Sequence, residues 1–163
     1  MSAASAAALR RLAARHGDRY DVQIVISDGL NVYSLTDDGH LGPYLDALRS
    51  ALKRAGYRVA PEHIVVTNGR VRAGYRIGEM LFGGLGELRS RRAILHLIGE
   101  RPGSGHHAFS VYITNSTVSA WARAGLTDHN VTKVVSGIAD TALDPAAAAL
   151  DTVRILTQTA AKT

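Results

Sequence analysis

Three short runs of this chain are apolar almost without interruption: VQIVIS (Val22 to Ser27), HIVVT (His63 to Thr67) and AILHLIG (Ala93 to Gly99). A strand with one face in water alternates apolar and polar side chains, so unbroken apolar runs of this length call for burial on both faces. A parallel sheet covered by helices on each side provides that burial. The spacers agree. Between the first two runs Leu41, Tyr44, Leu45, Leu48 and Leu52 recur at helical spacing, with Asp46, Arg49 and Lys53 off that face. Ile77, Met80, Leu81, Leu85 and Leu88 mark a second helix before the third run, weakened by Gly83, Gly84 and Gly86.

Beyond Gly99 the pattern changes. FSVYIT (Phe109 to Thr114) alternates, with Phe109, Val111 and Ile113 on one face, and reads as a half-exposed strand near a sheet edge. VSAWARAGL reads as a short helix and TKVVSGI as a further strand. Asp144-Pro145 opens a last helix, with Asp as N-cap and Pro at its first position, lined by Ala146, Ala149, Leu150, Val153 and Leu156. At the other end Leu9, Leu12, Ala13 and His16 share a helical face, which favours a packed first helix over residues 1–17 rather than a targeting peptide. With no repeat, linker or break in composition, the expected fold class is α/β, a doubly wound, mostly parallel sheet in a single domain over residues 1–163.

In such sheets ligands sit outside the carboxyl ends of the strands. The exits expected here are SDGL after the first strand, TNGRV after the second, GERPG after the third and SGIAD after the late strand. Asn68-Gly69 also has the composition of a tight hairpin turn.

Known chemistries fail on these loops one by one. GERPGSGH lacks the Lys and Ser/Thr that follow the last glycine of a phosphate-binding loop, and neither it nor GGLGEL (Gly83 to Leu88) has the spacing of a dinucleotide fingerprint. There is no cysteine, hence no thiolate nucleophile, disulfide or Cys-ligated metal. His96, His106 and His107 invite a metal, but adjacent strand residues point to opposite faces and no HExxH is present. They read as surface or loop-bracing histidines, with no metal expected. Ser27 and Ser110 lack the GxSxG setting of a hydrolase nucleophile. DDGHLGP (Asp37 to Pro43) approaches a cobalamin base-displacing DxHxxG pattern, misses its glycine at Pro43, and reads as the cap of the following helix.

The net charge of +5 permits an anionic partner, yet the arginines are scattered with few aromatics between them, so no nucleic-acid partner is expected. No window approaches the roughly 18 uninterrupted apolar residues of a membrane span, and no membrane partner is expected.

Taken in order, VQIVISDGL, GRVRAGYRIGEMLF, LIGERPGSG and KVVSGIADT resemble the light (small) subunit of ethanolamine ammonia-lyase over roughly Val22 to Leu156. The resemblance implies a Rossmann-like domain that covers adenosylcobalamin at a boundary with a heavy barrel subunit. It implies a cytoplasmic hetero-oligomer, a hexamer of heterodimers, that turns ethanolamine into acetaldehyde and ammonia. The substrate site belongs to the heavy subunit, so no catalytic residue is expected in this chain. Carried over by position, the family's cofactor contacts fall on Val71, Glu100 and Val134. Glu100 would accept hydrogen bonds from the cofactor's amide groups. Val134 stands where most relatives have cysteine, so its contact would be through backbone or apolar surface. The family's light subunit also carries a long N-terminal arm, whereas 21 residues precede the first strand here, which marks a short, divergent member. The alternative is a stand-alone Rossmann-like module binding a nucleotide or corrinoid, without lyase activity.

Overall fold

The computed structural model describes residues 1–101 and 107–161. Helix α1 (Ala3–His16) leads into β1 (Val22–Ser27), a short α2 (Tyr33–Thr36), α3 (Leu41–Arg54), β2 (Ile64–Val66) and α4 (Val71–Phe82). The chain continues through β3 (Arg91–Gly99), β4 (Phe109–Thr117), a four-residue α5 (Val118–Trp121), a 3-10 turn (His129–Val131), β5 (Thr132–Ile138) and α6 (Pro145–Ala160). Local chemistry sets several of the ends. The Ser2 hydroxyl accepts from the Ser5 N–H at 3.1 Å to start α1, and the Asp144 carboxylate accepts from the Ala147 N–H at 2.8 Å to start α6, with Pro145 in the first turn as the sequence implied. α4 stops at Phe82, short of the expected Leu85 and Leu88, because glycines 83, 84 and 86 offer little helix propensity past that point.

The sheet order is β2-β1-β3-β4-β5. β2, β1 and β3 are parallel, as expected, but β3–β4 and β4–β5 are antiparallel, so the fold is mixed α/β rather than a mostly parallel doubly wound sheet. The connections account for the switch. A parallel return needs a crossover of about a dozen residues, usually a helix. Segment 100–108 between β3 and β4 is shorter than that, and residues 118–131 between β4 and β5, though enough in number, hold only the four-residue α5 and a 3-10 turn in place of a crossover helix.

Two strand expectations are corrected by this order. FSVYIT lies one strand in from an edge, as expected, but it is not half-exposed. It lies between β3 and β5, runs on to Thr117, and only Tyr112 and Thr117 along it escape full burial. Its alternation records two different covers rather than water on one side. Phe109, Val111 and Ile113 meet helices, and on the same face Asn115 donates to the Thr159 hydroxyl of α6 at 3.2 Å, while on the other face Thr114 pairs with the Thr132 hydroxyl at 2.8 Å. Conversely HIVVT, expected to be doubly buried, forms the edge strand β2, with Val65 76% exposed.

Strand alternation divides the core in two. On one face Val22, Ile24, Leu95, Leu97, Phe109, Val111 and Ile113 pack with Tyr44, Leu48 and Leu52 of α3 and Ala148, Ala149 and Leu156 of α6. On the other, Val25 and Ile94 pack with Leu9 of α1, Ile77, Leu81 and Phe82 of α4 and Trp121 of α5. The Trp121 indole donates to the Arg92 carbonyl at 2.9 Å, and its ring lies over Gly78, where an added Cβ would come within 2.3 Å of it.

Candidate functional site

β5 runs in the same direction as β1, β2 and β3, so the four strand exits expected from the sequence do emerge along one edge of the sheet. Glycine makes their close packing possible. Gly29 has φ +60°, and a Cβ there would meet the Gly99 carbonyl at 2.2 Å; a Cβ on Gly99 would meet the Asn31 carbonyl at the same distance. With both side chains absent, the Leu30 N–H reaches the Gly99 carbonyl at 2.8 Å. The second exit is tied to the first. The Asn68 N–H donates to the Asp28 carboxylate at 2.7 Å, and the Arg70 guanidinium donates to the Gly29 carbonyl. Asn68-Gly69 is therefore no hairpin turn: it carries β2 into α4, with Asn68 in the left-handed region at φ 54°.

The three residues carried over by resemblance occupy one side of this frame. Val71 is the first residue of α4, half-buried, at a helix N-terminus that no side chain caps. Glu100 follows β3 directly and is half-buried. Val134 lies within β5, 45% exposed, and so sits before the exit loop. The sheet register shows how they relate. His96 on β3, Tyr112 on β4 and Val134 on β5 pair across adjacent strands, forming a row on the face that α4 packs against. From the middle of that row the Tyr112 hydroxyl donates to Glu100 Oε1 at 3.2 Å. At the inner end His96 packs under Gly74 of α4, where an added Cβ would come within 2.7 Å of Nδ1. The Val71 carbonyl faces the same ring without a hydrogen bond of ordinary geometry.

The electrostatics of the row follow from its burial. Both His96 nitrogens lack a hydrogen-bond partner among the described residues, and burial drives its pKa down to about 4 against a small opposing pull from the Val71 carbonyl. It is a neutral imidazole at pH 7. Burial likewise pushes Tyr112 up, with the neighbouring Glu100 charge adding to the effect, so the phenol stays protonated and keeps its donor. Neither His96 nor Tyr112 was among the expected site residues. Tyr112 had a signal, since the alternation of FSVYIT sets it opposite Phe109, Val111 and Ile113.

The histidines and aspartates of the remaining exits form a separate clasp. His40 is 3% exposed; Nδ1 donates to the Ser34 carbonyl at 2.9 Å, and Nε2 meets the Asp140 carboxylate at 2.9 Å. Burial alone would lower its pKa, but the Asp140 bond and the Ser34 carbonyl outweigh burial and raise it, while Asp140 is held below the usual carboxylate range by His40. DDGHLGP is consequently no side-chain cap: His40 holds the N-cap position of α3, yet its ring reaches away to β5's exit. His107 braces the same region, with Nδ1 2.6 Å from Asp37 and its ring stacked on Tyr33. His106 lies outside the described residues, as does Pro102-Gly103-Ser104-Gly105 of the glycine-rich loop. Among the described residues no group of three His, Asp or Glu is placed to hold a metal. No helix among them is long and apolar enough to cross a membrane.

A model of a protein family described as ethanolamine ammonia-lyase light chain matches residues 2–163. Among curated relatives, the ethanolamine ammonia-lyase small subunit of Pseudomonas paraeruginosa is 36% identical over 127 residues, covering 77% of this chain and 40% of the relative. That of Azotobacter vinelandii is 37% identical over 121 residues (74% and 39% covered), and that of Xanthomonas campestris pv. campestris 33% over 115 residues (70% and 38% covered). The matched part of the chain thus spans about 40% of the length of these relatives.

Proposed function

The chain belongs to the ethanolamine ammonia-lyase light chain family, and from that premise we propose that it is the light component of an adenosylcobalamin-dependent lyase that converts ethanolamine to acetaldehyde and ammonia together with a heavy barrel subunit. The observation that carries the reading is the row on the α4 face. It brings Val134 beside Tyr112, whose hydroxyl meets Glu100, and its His96 ring lies beside the Val71 carbonyl, so the three positions that the resemblance implies lie along one face. When bound, the cofactor supplies the radical chemistry by homolysis of its cobalt–carbon bond.

The donor set fits such a group. A corrin ring is rimmed by amide side chains whose N–H groups need acceptors and whose carbonyls need donors. Glu100 offers a carboxylate with Oε2 free of hydrogen bonds among the described residues, and the N-terminus of α4 offers backbone N–H groups without a side-chain cap. Val134, nearly half exposed on a strand, supplies an apolar wall, which valine provides as well as the cysteine usual at that place. These residues bind, orient and exclude water. In this reading the substrate site belongs to the heavy subunit, and we assign this chain no catalytic residue.

In the same reading the parallel unit β2-β1-β3 with α3 and α4 is the Rossmann-like half that presents its exits to the cofactor. The enzyme is cytoplasmic, and its light and heavy subunits assemble as a hexamer of heterodimers. Co-expression with a heavy barrel subunit tests the proposal. The complex is expected to bind cobalamin and deaminate ethanolamine, and the isolated chain to do neither. Deamination by the isolated chain would refute the division of labour.

A further inference from the structure

Glu100 leaves the carboxyl end of the central strand β3 with its backbone pinned, its N–H donating to the Ala108 carbonyl at 3.1 Å. Its side chain has three torsions and begins an exit loop, so a free carboxylate there would sample several rotamers and lose that freedom on binding. The structure removes the freedom in advance. Tyr112, held in register between His96 and Val134, places its hydroxyl 3.2 Å from Oε1. An ionised carboxylate only accepts, so the phenol donates. Oε2 makes no hydrogen bond with any described residue. One oxygen is tethered and the other is left for an incoming N–H.

We infer that Tyr112 is a positioning residue: its hydroxyl holds the Glu100 carboxylate in the orientation that presents Oε2 to an amide donor of the cofactor. The inference rests on the cofactor-contacting role proposed above for Glu100. The geometry of β4 favours it over a packing role for the hydroxyl. The Tyr112 ring points away from the core face of Phe109, Val111 and Ile113, and it stays partly exposed while its strand neighbours are buried.

The test uses the light chain assembled with its heavy subunit and cyanocobalamin as the probe, its binding followed by equilibrium dialysis and visible absorbance. Four forms are compared: unaltered, Tyr112→Phe, Glu100→Ala and the double variant. Phenylalanine keeps the ring and removes only the hydroxyl, so a packing role would leave binding unchanged; alanine removes every side-chain acceptor at position 100. Tyr112→Phe is expected to weaken binding roughly tenfold, the low end for one hydrogen bond to a charged group, and to add less than about twofold once Glu100 is Ala. If Glu100→Ala weakens binding and Tyr112→Phe does not, the positioning role is refuted and the Glu100 reading stands. If Tyr112→Phe costs the same in both backgrounds, Tyr112 acts independently of Glu100 and the inference again fails. If Glu100→Ala leaves binding unchanged, the cofactor role of Glu100 falls and the inference falls with it.

Discussion

His96 ties stability to pH in a way that can be worked out. Its imidazole is 1% exposed, beneath Gly74, with both nitrogens unpartnered among the described residues and its pKa lowered to about 4 from an ordinary 6.5. Below pH 6.5 the unfolded chain takes up a proton that the folded chain refuses until about pH 4, so stability is fully present above 6.5 and is lost as pH falls through this window. The loss from this residue is negligible at pH 7.5, about 2 kcal/mol at pH 5 and about 3 kcal/mol at pH 4. Leucine is similar in volume and has no polar atoms, so His96→Leu should abolish that loss. It should also remove the standing cost of two buried unpartnered nitrogens, a gain of about 1–3 kcal/mol at pH 7.5. Urea unfolding of the two proteins at pH 7.5 and pH 5 isolates the effect, because other titrating groups are common to both. The advantage of His96→Leu should be about 2 kcal/mol larger at pH 5. An advantage that does not change between the two pH values would show that His96 is solvated or paired, and would refute the argument.

The His40–Asp140 clasp has the opposite sign. A raised histidine pKa gives stability that is present below pH 6.5 and lost as pH rises through the folded value, so Asp140→Asn should lower the urea midpoint more at pH 6 than at pH 9. Gly78→Ala sets a methyl group 2.3 Å from the Trp121 ring and should cost about 1–3 kcal/mol by thermal unfolding, with quenched or shifted tryptophan fluorescence. Glu100→Ala should weaken cyanocobalamin retention in the assembled complex roughly tenfold while the isolated chain keeps its unfolding midpoint, since the half-buried carboxylate supports no core contact.

Much of the fold was legible because its signals are local. The helical spacing of Leu41 to Leu52, the Asp144-Pro145 start of α6 and the apolar run Ala93 to Gly99 each need only a few neighbours to specify an element, and each formed where expected. Periodicity does not say what covers a strand. HIVVT and FSVYIT differ in burial from what was expected because an apolar run can end as an edge, and an alternating run can be buried where its polar side chains find partners such as Thr132 and Thr159. Strand direction was likewise hidden, being settled by whether a connection can carry the chain back across the sheet.

The candidate site divides in the same way. The motif resemblance pointed to Val71, Glu100 and Val134, and the rule for strand exits pointed to the edge where the first two emerge. That Val134 shares a row with Tyr112 and His96, from which the Tyr112 hydroxyl reaches Glu100, is a fact of register. His96, Tyr112 and Val134 are separated along the chain by 16 and 22 residues and become neighbours only when β3, β4 and β5 align. By itself the sequence determined most of the helices and strands and which family's motifs the chain carries, since each depends on residues close in sequence. Only the tertiary structure decided that β4 and β5 return antiparallel, that a tyrosine tethers Glu100 and that His96 is buried uncharged. Each of these depends on pairing, packing and desolvation between segments that a linear pattern does not bring together.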